Sequence, residues 1–375
     1  MMLIAVATGV GLQKKIKEKV SAFNGDIIIT SFDTNFSDDS QNPISIENSG
    51  IYSEDFLAIE GIRHIQPTAV KSGIVRTKTD FEGVVVKGVD ADYDWQFFED
   101  FLTSGRLPDY SKNLNAEILI SSYLANRLQL SLDDKAVVYF VNKNTNEVPR
   151  PIGFDIVGIY NSGFQEFDES YIIADLRHIQ RRNNWSEDEV GALELFVSDF
   201  DQVEAVGDNV YYTLPPDLDS ETIRSKYTSI FEWLDLFDFN IYIIIGIMIL
   251  VAGINMITAL LVLVLERTQM IGILKALGSN NQSIRKIFLL NASYLIGIGL
   301  FWGNLIGLGL LFLQKYFKII PLNPEVYYVT EAPVYLSLDY ILLLNIGTLL
   351  LCLAMLLIPS FIITKITPVK AIRFE

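Results

Sequence analysis

The sequence predicts an integral α-helical membrane protein of four spans, the first truncated here, with a large α+β extracytoplasmic domain between spans one and two. Three observations carry this. Apolar runs occupy 239–265, 287–313 and 340–363, and each exceeds the roughly 20 residues that cross a bilayer. The chain also opens on an apolar stretch, 1–12. Between that stretch and the second run lies a mixed, strongly acidic block, long enough to bury a core of its own.

Each element follows in order. Residues 1–12 (MMLIAVATGVGL) are too short to span, and no basic flank makes them a signal peptide. They read as the second half of a transmembrane helix, so 1–20 is the end of span one and its extension. Leu12, Ile16, Val20 and Phe23 recur at helical spacing. The extracytoplasmic domain is expected over 21–236. Its strands are read at 26–30, 73–78 with 83–89 as a hairpin, 136–141, 154–159, 171–174 and 193–197. Helices are read at 121–130 and 176–183, with another beginning at 201–206. A last helix, 219–237, takes Asp219 as its N-cap and Glu221 in its first turn, and leads into span two. Span two is placed at 237–265, a cytoplasmic loop at 266–287 and span three at 288–314. A short outer loop follows at 315–338, then span four at 339–364 and a cytoplasmic tail at 365–375. The polar stretch 36–49 is read as a loop.

Basic residues orient the spans. The loop after span two carries Arg267, Lys275, Arg285 and Lys286 against Glu266, and the tail carries Lys365, Lys370 and Arg373 against Glu375. Both are expected inside. Lys315 and Lys318 face Glu325, Glu331 and Asp339 in the loop between spans three and four, which is expected outside. Lys14, Lys15, Lys17 and Lys19 oppose this order, but long domains translocate largely regardless of charge.

Composition excludes several functions. The block 20–235 holds 38 Asp and Glu against 16 Lys and Arg, while the rest of the chain holds 7 against 13. So acidic a domain argues against nucleic-acid binding. The single Cys352 falls inside span four, which leaves no disulfide framework and no cysteine zinc site. His64 and His178 stand far apart and read as structural. There is no phosphate-binding G-x-x-x-x-G-K-[ST], no H-E-x-x-H and no G-x-S-x-G. The pairs Asp38–Asp39, Glu99–Asp100 and Asp168–Glu169 read as solvated faces, so no catalytic residue, metal site or cofactor is expected on this chain.

The most informative short segment is ERTQMIGILKALG, from Glu266 to Gly278. Met270, Ile271, Ile273, Leu274 and Leu277 offer apolar faces at helical spacing, Arg267 and Lys275 add charge, and Gly278 suits a helix C-terminus. Two readings stand level on these residues: a knob that fills a partner's groove, or a helix lying on anionic lipid.

The pattern E-R-T-x-x-I-G-I-L-K-A-L-G resembles the permeases of the FtsX/MacB/lipoprotein-releasing (LolC/LolE) family. The ending PVKAIRFE is similar to that family's tail. SGRLPD, EILISSYLANRLQLSLDDKAVVYF and FDIVGIYNSGFQEFDESYIIADL resemble its lipoprotein-releasing branch. The resemblance implies a four-span subunit of an ABC transporter in the bacterial inner membrane. A second permease subunit, the same or homologous, pairs with it. A separate ATPase, with ATP and Mg, docks through Glu266, Arg267, Met270, Ile273, Leu274, Lys275, Leu277 and Gly278. Closure passes through spans one and two to the outer domains, and a lipoprotein leaves the outer leaflet for a periplasmic carrier. The branch's carrier-docking loop corresponds to 142–153, where Pro149, Arg150 and Pro151 are candidate contacts. An ordinary hairpin tip is the competing reading, and the loop is short for a full hook.

In the spans, Gly299, Gly303 and Gly307 are expected to let helices approach closely within the bundle. Asn255 and Thr258 either line a dimer cavity or bond a neighbouring helix. Two functional alternatives remain: an efflux or export permease coupled to an outer-membrane channel, and a non-transporting regulator of an envelope enzyme or sensor kinase. The residues distinguish neither homodimer from heterodimer nor the cargo.

Overall fold

The computed structural model describes residues 1–32, 42–51, 53–112, 114–141, 151–357 and 360. The chain divides into two compact units. Lys14–Phe231 with Leu322–Thr330 form the larger unit; Met1–Gln13, Glu232–Pro321 and the described residues from Glu331 onward form the other.

Helix α1 (Met2–Asn24) opens the chain and contributes to both units. Its predicted apolar face is real: Leu12, Ile16, Val20 and Phe23 are buried. Strands β1 (Ile27–Ser31) and β2 (Ile44–Ser45) and the short helix α2 (Glu54–Leu57) follow. The expected hairpin is longer than the sequence suggests. It comprises β3 (Ile62–Arg76) and β4 (Phe81–Val89), closed where Thr77 N–H donates to the Asp80 carbonyl at 2.9 Å. Next come α3 (Gln96–Phe101), β5 (Leu102–Gly105), β6 (Glu117–Ser121) and α4 (Ser122–Leu128). Ser121 caps α4 by accepting from Leu124 N–H. Strands β7 (Lys135–Phe140) and β8 (Ile152–Tyr160), helix α5 (Gln165–Asp168), β9 (Tyr171–Asp175) and α6 (Leu176–Asn183) continue the alternation. The unit's main run ends with β10 (Glu189–Val190), β11 (Ala192–Val197), α7 (Val203–Thr213), β12 (Leu218–Thr222) and α8 (Ile223–Lys226).

The main sheet runs β12-β1-β11-β3-β4-β9-β6-β8-β5, with β7 joining β3 to β8. Pairing through β3, β4, β9, β6, β8 and β7 therefore returns to its start. The length of β3 makes this possible. Its first half pairs β11 (Ala192↔Thr68) and its second half pairs both β4 (Ile74↔Gly83) and β7 (Ile74↔Tyr139). β4–β9 and β6–β8 are parallel. Ile27, Val75, Val86, Ile118, Val138, Phe154 and Ile172 are among the side chains of one apolar core, as alternating strands with one buried face require.

Three expectations fail. Asp168, read as part of a solvated face, is buried, and the stretch 36–49, read as a loop, contains β2. Asp219 does not cap a helix over 219–237; it lies in β12, opposite Thr30 of β1. Leu218 and Thr222 at the strand's ends are buried, and edge pairing captures the segment. Thr222 is the N-cap instead, accepting from Ser225 N–H, and opens α8.

The second unit is built on α9 (Thr228–Glu266), α10 (Thr268–Ala276) and α11 (Asn281–Phe317). The turn α12 (Pro324–Tyr327) belongs to the larger unit, and α13 (Leu338–Leu357) returns to the second. α9, α11 and α13 are long and apolar enough to cross a membrane. Ile247, Leu305 and Leu343 expose apolar side chains, as lipid-facing helices that are apolar all round do.

Candidate functional site

The site begins where α9 ends. Thr268 returns its hydroxyl to the carbonyls of Val264 (3.0 Å) and Leu265 (2.8 Å), closing one helix as α10 opens. At the other end Gly278 has φ +91, a conformation that glycine reaches at no steric cost. Gly278 N–H donates to the Lys275 carbonyl at 3.1 Å and Ser279 N–H to the Leu274 carbonyl at 3.0 Å. This pair of bonds stops the helix at the glycine where the sequence predicts its end. Asn280 then caps α11 by accepting from Ser283 N–H at 2.7 Å.

α10 is two-faced. Ile271 is fully buried, with Ile284 and Phe288 of α11, Leu260 and Val264 of α9 and Leu356 of α13 in one cluster. Leu274 packs partly against that cluster. Met270, Ile273 and Leu277 are 39, 49 and 79% exposed and form a stripe spaced three and four residues apart. Glu266, Arg267 and Gly278 are exposed beside it, and Lys275 is half-buried, its ammonium lowered below the ordinary value by desolvation. Of the eight residues singled out in the sequence, Leu274 thus serves the bundle, while Met270, Ile273 and Leu277 present an open apolar surface. Such a knob, held rigid from behind, suits insertion into a partner groove.

The expected span contacts need correction. Among the described residues, a Cβ at Gly299 or Gly303 would meet nothing within 4 Å, and one at Gly307 would meet only Leu3 at 3.6 Å. Burial along α11 runs through Ile284, Phe288, Ala292 and Ile296 and resumes at Gly307 and Leu311, leaving the first two glycines outside the packed face. Close approaches fall instead at Gly253 of α9, where a Cβ would collide with Met355 Sδ of α13, and at Gly9 of α1, where it would collide with Ile241 Cδ1 of α9. Asn255 and Thr258 are exposed, and Thr258 donates to Ile254 of its own helix at 3.0 Å. The polar bridge between spans is elsewhere. Asn304 Nδ2 of α11 donates to Asn345 Oδ1 of α13 at 2.5 Å, and Asn345 Nδ2 returns to Asn304 Oδ1 at 3.2 Å. Both asparagines stand inside apolar runs, so the sequence does carry that signal.

In the larger unit, Pro149 and Arg150 lie outside the described residues, and Pro151 is exposed just before β8. Among the described residues no group of acidic, His and Cys side chains could hold a metal. His178 Nε2 meets the Asn115 carbonyl at 2.9 Å. A carbonyl only accepts, so Nε2 carries the proton. Burial holds the ring's pKa below 6.5.

Residues 242–368 match the FtsX-like permease C-terminal domain family. The chain is 25% identical over 337 residues to the lipoprotein-releasing system transmembrane protein LolC of Neisseria meningitidis serogroup B, covering 84% of this chain and 79% of that protein. It is 24% identical over 336 residues to the LolC of Xylella fastidiosa strain 9a5c, covering 86% and 77%. The solved periplasmic region of MacB from Actinobacillus actinomycetemcomitans aligns with 54% of this chain and 91% of its own length, at TM-score 0.36 and 15% identity. The chain thus carries an FtsX-like permease C-terminal domain across its apolar helices and is similar to LolC proteins over most of its length.

Proposed function

We propose that this chain is the permease subunit of an ABC transporter of the lipoprotein-release system. A separate ATPase hydrolyses ATP with Mg, and the permease extracts lipoproteins from the outer leaflet of the bacterial inner membrane and hands them to a periplasmic carrier. The likeness to LolC proteins supports the substrate class. The observation that carries the mechanism is α10, a short helix whose buried Ile271 fixes it to α9 and α11 while Ile273 and Leu277 stay open to a partner.

Four spans fit this reading, with Met1–Gln13 in the same compact unit as most of α9 and as α11 and α13. The acidic larger unit then lies in the periplasm, α10 and the tail in the cytoplasm, and a second permease subunit completes the transporter. α1 and α9 each run through both units, so movement of the membrane part has two continuous helices along which to reach the periplasmic part. Residues 142–153, with Pro149, Arg150 and Pro151, contact the carrier.

Reconstitution tests the proposal. The full-length permease with its ATPase, in nanodiscs holding a fluorescent triacylated lipoprotein, releases that lipoprotein to soluble carrier only with ATP. A complex that hydrolyses ATP and releases none refutes it.

A further inference from the structure

Three segments of the larger unit continue in sequence into the apolar helices: the end of α1, the start of α9, and the loop 322–330 between α11 and α13. All three meet at one aromatic ladder. Tyr328 stacks on Phe164 with centroids 4.8 Å apart and planes at 22°. Phe164 stacks on Phe167 at 4.8 Å and 25°, and Phe167 on Phe23, in the last turn of α1, at 4.5 Å and 18°. Tyr227, next to the first residue of α9, meets Phe167 edge-on at 6.1 Å, and its hydroxyl donates to Asn24 Oδ1 at 3.1 Å.

The loop is held as well as stacked. Lys19 Nζ, on α1, donates to the Tyr328 carbonyl at 3.2 Å. Tyr328 itself has φ +56, which bulky L residues rarely adopt, so its surroundings fix it there. Leu322 N–H donates to the Thr330 carbonyl at 3.0 Å, closing the loop on itself. Opposite, Gly163 has φ +65, and a Cβ there would lie 3.1 Å from Lys19 Nζ and 3.2 Å from Thr330 Cγ2. Asp168 fixes that turn, accepting from Gly163 N–H at 2.9 Å and from the Ser162 hydroxyl at 2.7 Å.

We infer that this ladder is the joint through which the membrane helices move the outer domain, and that the 322–330 loop is a third drive line beside α1 and α9, with Tyr328 its positioning residue. Rigid stacked rings between three chain entries transmit displacement because packed cores switch rather than deform. The inference rests on the transporter reading and extends it, since α11 and α13 become active members rather than supports.

The test uses the full chain with its ATPase in nanodiscs. Hydrogen exchange over 62–89 is compared between nucleotide-free and vanadate-trapped states for wild type, Tyr328→Ala and Tyr328→Phe, alongside ATP hydrolysis and melting temperature. The expected result is a nucleotide-linked change in wild type and Tyr328→Phe, and at least a roughly threefold smaller one in Tyr328→Ala at unchanged hydrolysis. A purely structural role would not separate hydrolysis from that signal. A full wild-type change in Tyr328→Ala, no change in wild type, or equal loss in Tyr328→Phe overturns the joint. If Tyr328→Ala fails to assemble, Lys19→Met replaces it: a reduced change supports the joint and an undiminished one overturns it. Lipoprotein release is scored separately. Wild type that transmits the nucleotide signal yet releases nothing refutes the release reading, while the Tyr328 comparison still decides the joint.

Discussion

Lys87 Nζ lies 2.7 Å from Glu194 Oε1, the two side chains only 1 and 6% exposed. The same ammonium donates to the Phe23 carbonyl at 2.7 Å, in the last turn of α1. A cation at the carbonyl end of a helix is favourable, and Tyr93, whose hydroxyl meets the Ala22 carbonyl at 3.2 Å, completes the cap. Glu194 is satisfied in turn by Gln66 at 2.9 Å and Thr68 at 3.2 Å. The end of the first helix is thus pinned to strands β3, β4 and β11 by one buried ion pair.

Breaking that pair from one side leaves a charge buried without its partner. Lys87→Met is expected to cost about 3–5 kcal/mol, or on the order of 10 °C in melting temperature for a domain of this size. Lys87→Met with Glu194→Gln costs less than the two changes summed, because the neutral amide carries no stranded charge, its oxygen still accepts from Gln66 and its NH2 can donate to the Thr68 hydroxyl. Thermal unfolding of the detergent-solubilised chain, followed by tryptophan fluorescence, measures both.

The pH dependence follows from His178. Burial holds its folded pKa below the ordinary 6.5, so the unfolded chain takes up the proton first as pH falls. The contribution is present above about pH 6.5 and is lost as pH drops through that value toward the folded pKa. Asp26 and Asp168, both raised by burial, act in the opposite sense at lower pH. The clean observable is therefore a difference. His178→Gln keeps a donor for the Asn115 carbonyl, and its melting temperature gains on wild type between about pH 7 and 5.

In the membrane part, Asn304 and Asn345 form a closed amide pair. Replacing either by Leu leaves the other's side-chain oxygen without its donor, its Nδ2 still bonded to its own helix, and is expected to cost about 1 kcal/mol. Replacing both costs no more than replacing one. Unfolding titration in mixed micelles resolves the cycle.

The exposed stripe of α10 predicts a separation by face. Ile273→Glu and Leu277→Glu leave the bundle folded and weaken ATPase binding roughly tenfold or more, as loss of an interface anchor does. Ile271→Glu, on the buried face, destabilises the chain itself. Leu274 and Lys275 sit between these classes, so a change at Leu274 acts on both folding and docking. Affinity of the purified ATPase for the nanodisc-held variants distinguishes the three groups.

Much of this is legible in the sequence because period and punctuation are local. The helix 176–183, the strand beginning at Tyr171 and the stop at Gly278 lie where hydrophobic period and a single glycine place them. The segment 218–222 misleads because Asp219 and Glu221 suit a helix start, whereas pairing with β1, nearly two hundred residues away, decides the outcome. β5 and β6 escape the sequence for the same reason: short strands are fixed by their partners. The glycine stripe of α11 carries a valid pattern, but which small residues meet a neighbour depends on helix placement, and that falls to Gly253 and Gly9. That the rings of Phe23, Phe164, Phe167 and Tyr328 stack has no signal in one sequence, since their pairing is set by the fold.

Under the proposed function, ATP hydrolysis on a partner ATPase drives this chain to release lipoprotein from the outer leaflet. The direct measurement is transfer of a fluorescent triacylated lipoprotein from nanodiscs to soluble carrier, with ATP, with a non-hydrolysable analogue, and in Ile273→Glu. ATP-dependent transfer that fails with the analogue and in the variant is the predicted result. Steady ATP hydrolysis by the wild-type complex with no transfer contradicts the account.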